Sequence, residues 1–230
     1  MIGQMKTLFY KLPHNIATCF TGKYLIAQLV AIGLSIVIVS TDLDWTYYQA
    51  SRDEVIRTLA FPAIIFGGIL PILLPLIILL WGLKKNKIAL VNAGWGLGQA
   101  ALMGSFISST YKAFTGRIPP HFVNATIHTT DITHGFQFGF MRGGIFWGWP
   151  SSHTTIAFAM AAAFAVLFPK HRTLIYLMFC YAGYVGLGVS VSIHWLSEGV
   201  AGAIMGTTIG IVAGLSFSNR YKEISEVTLS

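Results

Sequence analysis

The chain has 230 residues, of which 54% are hydrophobic and only 10% charged. A soluble domain carries about 25% charged residues, so the polar material is too sparse to cover a globule in water, and the same apolar surplus excludes disorder. The net charge of +7 would suit nucleic acid only as a surface patch, but its distribution along the chain fits a membrane topology instead.

Apolar runs occupy about 24–40, 59–82, 88–111, 154–168, 173–193 and 198–217. A helix needs about 20 residues to cross the hydrocarbon, with a range of about 17–25. Five of the runs meet that, and the fourth does so if its helix starts near Ser151. Helices satisfy every backbone polar group internally, and the alternation of a membrane barrel is absent. The pattern predicts an all-α integral membrane protein, a six-transmembrane helix bundle forming one domain over 1–230. Pro62, Pro71 and Pro75 predict a kink in the second span. A long connection, about 112–150, joins the third and fourth spans.

Basic residues sort by loop. Lys6, Lys11 and Lys23 precede the first span, and Lys84, Lys85 and Lys87 separate the second and third. Lys170 and Arg172 follow the fourth span, and Arg220 and Lys222 follow the sixth. The remaining loops hold Arg52, Arg57, Lys112, Arg117 and Arg142, together with most of the acidic residues. The positive-inside bias therefore predicts both termini in the cytoplasm and the long loop outside. No small-residue cleavage site follows the first span, which reads as an uncleaved anchor. Cys19 and Cys180 suggest neither a disulfide nor a metal site.

Polar chemistry gathers at three helix ends on the outer side. Pro150-Ser151-Ser152-His153 opens the fourth span. A helix start leaves N–H groups free and adds the positive end of the dipole, which suits phosphate, with His153 placed as a proton donor. The same stretch also fits an ordinary serine-capped helix. His194 and Glu198, four residues apart, face each other if the turn is helical. A carboxylate on one ring nitrogen would leave the other as a nucleophile or base, or the pair is a plain interfacial hydrogen bond. Lys112, Arg117 and Arg142 are either cations for a phosphate or snorkelling interface residues. His128, Asp131 and His134 are spaced for a polar lid, or less fittingly for zinc.

Together these pieces resemble the type 2 phosphatidic acid phosphatase superfamily of membrane phosphatases. That family has a six-helix core and the motifs K-x6-R-P, P-S-G-H and S-R-x5-H-x3-D. The resemblance covers about residues 59–217. Lys112 fits the first lysine, and Gly116-Arg117 fits a Gly-Arg pair often found inside motif one. Pro150, Ser151 and His153 fit motif two, with Ser152 in the glycine position. His194 fits the motif-three histidine, and Glu198 replaces the aspartate. Gly199-Val200-Ala201-Gly202 is similar to the small-residue start of the family's last helix. Two arginines are missing: Pro119 stands at the motif-one position, and Leu187-Gly188 stand where motif three has serine and arginine. A charge-assisted hydrogen bond is worth about 1.5–3 kcal/mol. Losing both unreplaced would cost at least about 10²–10⁴ in rate, so Arg117 and Arg142 are the expected substitutes.

The resemblance implies a two-step phosphoryl transfer without metal or other cofactor. His194 attacks phosphorus to give a phosphohistidine, Glu198 orients its ring, and His153 protonates the leaving oxygen. Backbone N–H groups of Ser151 and Ser152, with Lys112, Arg117 and Arg142, hold the phosphate oxygens. The expected partner is a phosphorylated membrane lipid, such as lipid A, an isoprenyl diphosphate or phosphatidylglycerol phosphate. The expected location is a bacterial inner membrane with the site on the periplasmic side. A lipid phosphotransferase, or a non-catalytic lipid-binding relative, remains the alternative.

Overall fold

A computed structural model describes residues 6–120 and 131–229. A 3-10 turn at Lys6–Phe9 leads into α1 (Leu12–Thr18), α2 (Gly22–Ser40), α3 (Leu43–Ala50) and α4 (Glu54–Lys84). Then follow α5 (Ile88–Thr115), α6 (Ser152–Leu167), α7 (Arg172–Ser192) and α8 (Leu196–Leu229). Each apolar run has become a helix. Among the described residues no strand forms beyond an isolated bridge between Arg117 and Phe136.

Four helices are long and apolar enough to cross a membrane: α2, α4, α7 and α8 over Leu196–Glu226. The other two fall short for different reasons. α5 is 28 residues long, but Gly, Asn, Gln and Ser residues dilute its hydropathy. α6 begins at Ser152, close to the expected start, yet has only 16 residues before Phe168-Pro169 ends it. Such a helix rises about 24 Å, against about 30 Å of hydrocarbon. α4 continues through Pro62, Pro71 and Pro75 as one helix of 31 residues.

The outer surface is inverted relative to a soluble protein. Leu59, Ile65, Ile72 and Leu80 of α4 all stand exposed, as helices in lipid require, and the chain is an integral membrane protein. α8 is the opposite case, with Ala201, Met205, Ile209, Ala213 and Phe217 fully buried along it. Its neighbouring face carries Gly202, Gly206, Gly210 and Gly214 against α6. A Cβ at Gly206 would stand 2.3 Å from the Thr155 carbonyl oxygen, and one at Gly210 would stand 2.1 Å from that of Ala159. Small residues at four-residue spacing let the two backbones touch, which is how helices gain contact where lipid removes the hydrophobic drive.

The short helix α1 is packed into the bundle. Asn15 of α1 is buried and donates to Gln99 Oε1 at 2.7 Å and to Ser216 Oγ at 3.0 Å, joining α1, α5 and α8. Cys19 is buried, Cys180 is exposed, and both thiols are free.

Candidate active site

Three helix ends meet where α5 finishes, α6 begins and α7 turns into α8. Gly116 ends α5 at φ +33°, and a Cβ there would lie 2.9 Å from Gly143. This close approach lets the returning chain pair with the helix end: Gln137 N–H donates to Gly116 O at 2.7 Å and Gly139 N–H to Phe114 O at 2.9 Å. Ser151 caps α6, its Oγ accepting from the Thr154 hydroxyl at 3.1 Å and more distantly from Thr154 N–H at 3.4 Å. The turn into α8 is held by His194 N–H to Val189 O at 2.9 Å and by Trp195 Nε1–H to Ile118 O at 2.8 Å.

These ends bring the two expected imidazoles together. The rings of His153 and His194 lie 6.1 Å apart between centroids and are tilted by 59°. His194 is buried, and its Nδ1 lies 2.6 Å from Glu198 Oε2. With a carboxylate as partner that nitrogen carries the proton, so the lone pair sits on Nε2. Burial first, then the charge of Lys112, holds the His194 imidazole below the usual histidine range; the bond to Glu198 pulls the other way. A neutral imidazole is the form a nucleophile must take. His153 Nδ1 is buried and has no hydrogen-bond partner among the described residues.

Lys112, in the last turn of α5, is also buried, and its charge acts on both imidazoles. Among the described residues its ammonium makes one hydrogen bond, to Phe146 O at 2.9 Å. An ammonium has three N–H donors, so two remain for a ligand. The first-turn N–H groups of Ser152 and His153 likewise carry no partner among the described residues, as helix starts leave them. The Ser152 hydroxyl accepts from that of Ser108 at 2.9 Å.

Other expected ligands are placed differently. Arg117 is not available for phosphate. Its Nε–H donates to Thr133 O at 2.8 Å, one Nη to Ser197 Oγ at 2.9 Å and Glu198 Oε1 at 3.4 Å, and the other to Asp44 Oδ2 at 2.8 Å and Thr133 O. All five donors of the guanidinium are thus spent, and its side chain is fully buried. The Ser151 backbone N–H is not free either: it donates to Glu198 O at 3.0 Å. Arg142 is exposed on the turn after Gly139, with no hydrogen bond or ion pair from its side chain among the described residues. His128 lies outside the described residues. Asp131 and His134 meet Asp42 at the surface with all three side chains exposed, whereas His194 is buried.

The missing motif-three arginine has a packing cause. A Cβ at Gly188 would lie 2.3 Å from Ala63 Cβ and 3.0 Å from Ala60 O, so α4 occupies the space a side chain there would need. Asp44 and Ser197 belong to the site's surroundings and carry no motif signal. Asp44, in the first turn of α3, is fully buried and accepts from Ser197 N–H at 2.8 Å and from its hydroxyl at 2.6 Å. A single hint was available: an acidic residue beside Trp45 in a chain with only eight Asp and Glu.

Beside His153 a cavity of about 360 Å³ opens between α4, α5 and α6. Gly67 and Pro71 line it on one side and Gly98, Ala101 and Leu102 on the other. It is mostly apolar, and its lining on α5 runs from Ser105 back to Gly98, about two turns, away from the Lys112 end.

The family model described as the PAP2 superfamily matches residues 93–222. No curated protein matches the sequence. Among solved structures, the crystal structure of the first transmembrane PAP2 type phosphatidylglycerolphosphate phosphatase from Bacillus subtilis is similar, with 14% identity and a TM-score of 0.48, covering 97% of this chain and 98% of that one.

Proposed function

The chain belongs to the PAP2 superfamily, and on that premise we propose that it hydrolyses a head-group phosphate or diphosphate of a membrane lipid through a phosphohistidine on His194. The observation that carries this is the pair of imidazoles with ring centroids 6.1 Å apart, one bound to a carboxylate and both beside a buried ammonium. That gap suits one tetrahedral phosphorus between a nucleophile and a proton donor.

Glu198 holds the Nδ1–H of His194 and leaves Nε2 free. In the first step an Nε2–P bond forms while the P–O bond to the lipid alcohol or leaving phosphate breaks, and His153 gives the departing oxygen its proton. In the second step water attacks phosphorus, its proton passes to His153, the P–N bond breaks and inorganic phosphate leaves. Lys112 and the first-turn N–H groups of Ser152 and His153 hold the remaining oxygens, whose charge grows in the transition state.

The apolar cavity beside His153 supports a lipid over a soluble ester, because it offers a hydrocarbon chain a place next to the reacting phosphate. The six helical segments and the asymmetry of Lys and Arg between alternate loops support a single six-span unit with both termini cytoplasmic and the site on the periplasmic side of a bacterial inner membrane.

The test is phosphate release from a panel of lipid phosphates and diphosphates by purified protein in nanodiscs, with EDTA present. Wild type should exceed His194→Ala by at least about 10³-fold, as for loss of a nucleophile. Equal rates for the two would end the proposal. Transfer of labelled phosphate to an added lipid alcohol faster than to water would redirect it to a transferase.

A further inference from the structure

We infer that Asp44 is a positioning residue for His194, acting through Arg117 and Glu198; the inference rests on His194 being the proposed nucleophile. Asp44 lies outside the residues matched by the family model, 93–222, on a short helix with no motif of its own.

The geometry is a chain of charges closed from water. Asp44 Oδ2 receives the Arg117 guanidinium at 2.8 Å, with both side chains fully buried. The other end of that guanidinium reaches Glu198 Oε1 at 3.4 Å, and Glu198 Oε2 lies 2.6 Å from His194 Nδ1. Ser197 ties the middle together, its hydroxyl donating to Asp44 at 2.6 Å and accepting from Arg117 at 2.9 Å. The same short helix α3 grips the turn a second time, where the Tyr48 ring packs on Trp195 at 5.4 Å.

The two distances at Glu198 are unequal, and that inequality needs Asp44. A buried guanidinium draws the nearest carboxylate strongly, because little solvent screens it. Arg117 has two carboxylates within reach, and it takes Asp44 at 2.8 Å while leaving Glu198 at 3.4 Å. Glu198 is thereby free to keep its short bond to the imidazole. Without the Asp44 charge, Arg117 has only Glu198 to neutralise it. The carboxylate then turns towards the guanidinium, and His194 loses the partner that keeps the proton on Nδ1. The charged or titratable groups in this cluster are Asp44 from α3, Arg117 and Lys112 from the end of α5, His153 from α6 and Glu198 from α8. Of these, Asp44 alone neutralises Arg117 without also touching His194.

The experiment separates this from a packing role. Protein labelled with ¹⁵N-histidine, in nanodiscs at neutral pH, reports the His194 tautomer by NMR whether or not the protein turns over any lipid. Wild type should show His194 protonated on Nδ1, and Asp44→Asn should show a mixture of tautomers. On the lipid substrate, Asp44→Asn should lower kcat about 10–10²-fold with KM within about twofold. Adding Arg117→Gln removes the unbalanced cation, so the double variant should recover at least about fivefold of that loss and regain the Nδ1–H form. An unchanged tautomer in Asp44→Asn, or a double variant no better than the single one, overturns the inference. If Asp44→Asn does not accumulate, Arg117→Gln and the double variant carry the same measurements. With the guanidinium gone Asp44 has no cation to hold off Glu198, so the two should show the same tautomer and kcat within about twofold of each other, and a further loss on adding Asp44→Asn overturns the inference. Loss of all lipid turnover in wild type with the Nδ1–H signature intact would instead count against the proposed hydrolysis alone.

Discussion

The two sides of the candidate site treat charge in opposite ways. On one side, among the described residues, Lys112 has a single carbonyl partner, His153 Nδ1 has none, and the helix start of α6 leaves N–H groups open. On the other, Asp44, Arg117, Ser197 and Glu198 satisfy one another with every guanidinium donor engaged. His194 stands between them, bonded to the saturated side through Nδ1. A buried polar group without a partner is costly, so it persists where a ligand completes it. A saturated cluster holds geometry and leaves nothing for a ligand to bind. Motif spacing places Lys112 and Arg117 together as cations, but hydrogen-bond accounting puts them on different sides.

Substitutions on each side test that division. Glu198→Gln removes the link between the two sides and should have the largest effect, slowing turnover about 10²-fold or more by disturbing the orientation of the nucleophile; phosphate release at saturating lipid measures it. Lys112→Met removes an open-side cation. Loss of one charge-assisted contact to phosphate predicts about 10–10²-fold in kcat/KM. It carries a signature in pH as well. The Lys112 charge helps to keep the His194 imidazolium unfavourable, so removing it raises the pKa of His194. The acid limb of the rate profile, where the nucleophile becomes protonated, must then move to higher pH. An unmoved limb would put Lys112 outside the field of His194. The smallest effect is expected for Arg142→Ala: an exposed guanidinium that makes no bond to the cluster should change phosphate release by less than about threefold. A loss like that of Lys112→Met would place Arg142 on the open side after all.

Glycine ladders show what patterning alone reveals about the fold. α4 is the more apolar of α4 and α8, yet 28% of its most apolar stretch is buried in the bundle against 61% for α8. The more apolar helix is the peripheral one, because lipid welcomes Ile and Leu as readily as a protein core does. Small-residue spacing is what marks the central helix: Gly202, Gly206, Gly210 and Gly214 recur every four residues, although the family resemblance drew attention only to the start of that series.

The linear order of residues determined the membrane setting, the six helical segments and the pairing of His194 with Glu198, since each depends on neighbours within one helical turn or one apolar run. Local periodicity also placed His153 at a helix start. Only the tertiary structure decided that Arg117 is spent on two carboxylates, the Ser197 hydroxyl and the Thr133 carbonyl, that Gly188 has no room for a side chain, and that Asp44 reaches Ser197 across 153 positions. These depend on which chain segments share a buried volume. There a charge goes to whichever partner the packing brings within about 3 Å, and sequence separation carries no information about that distance.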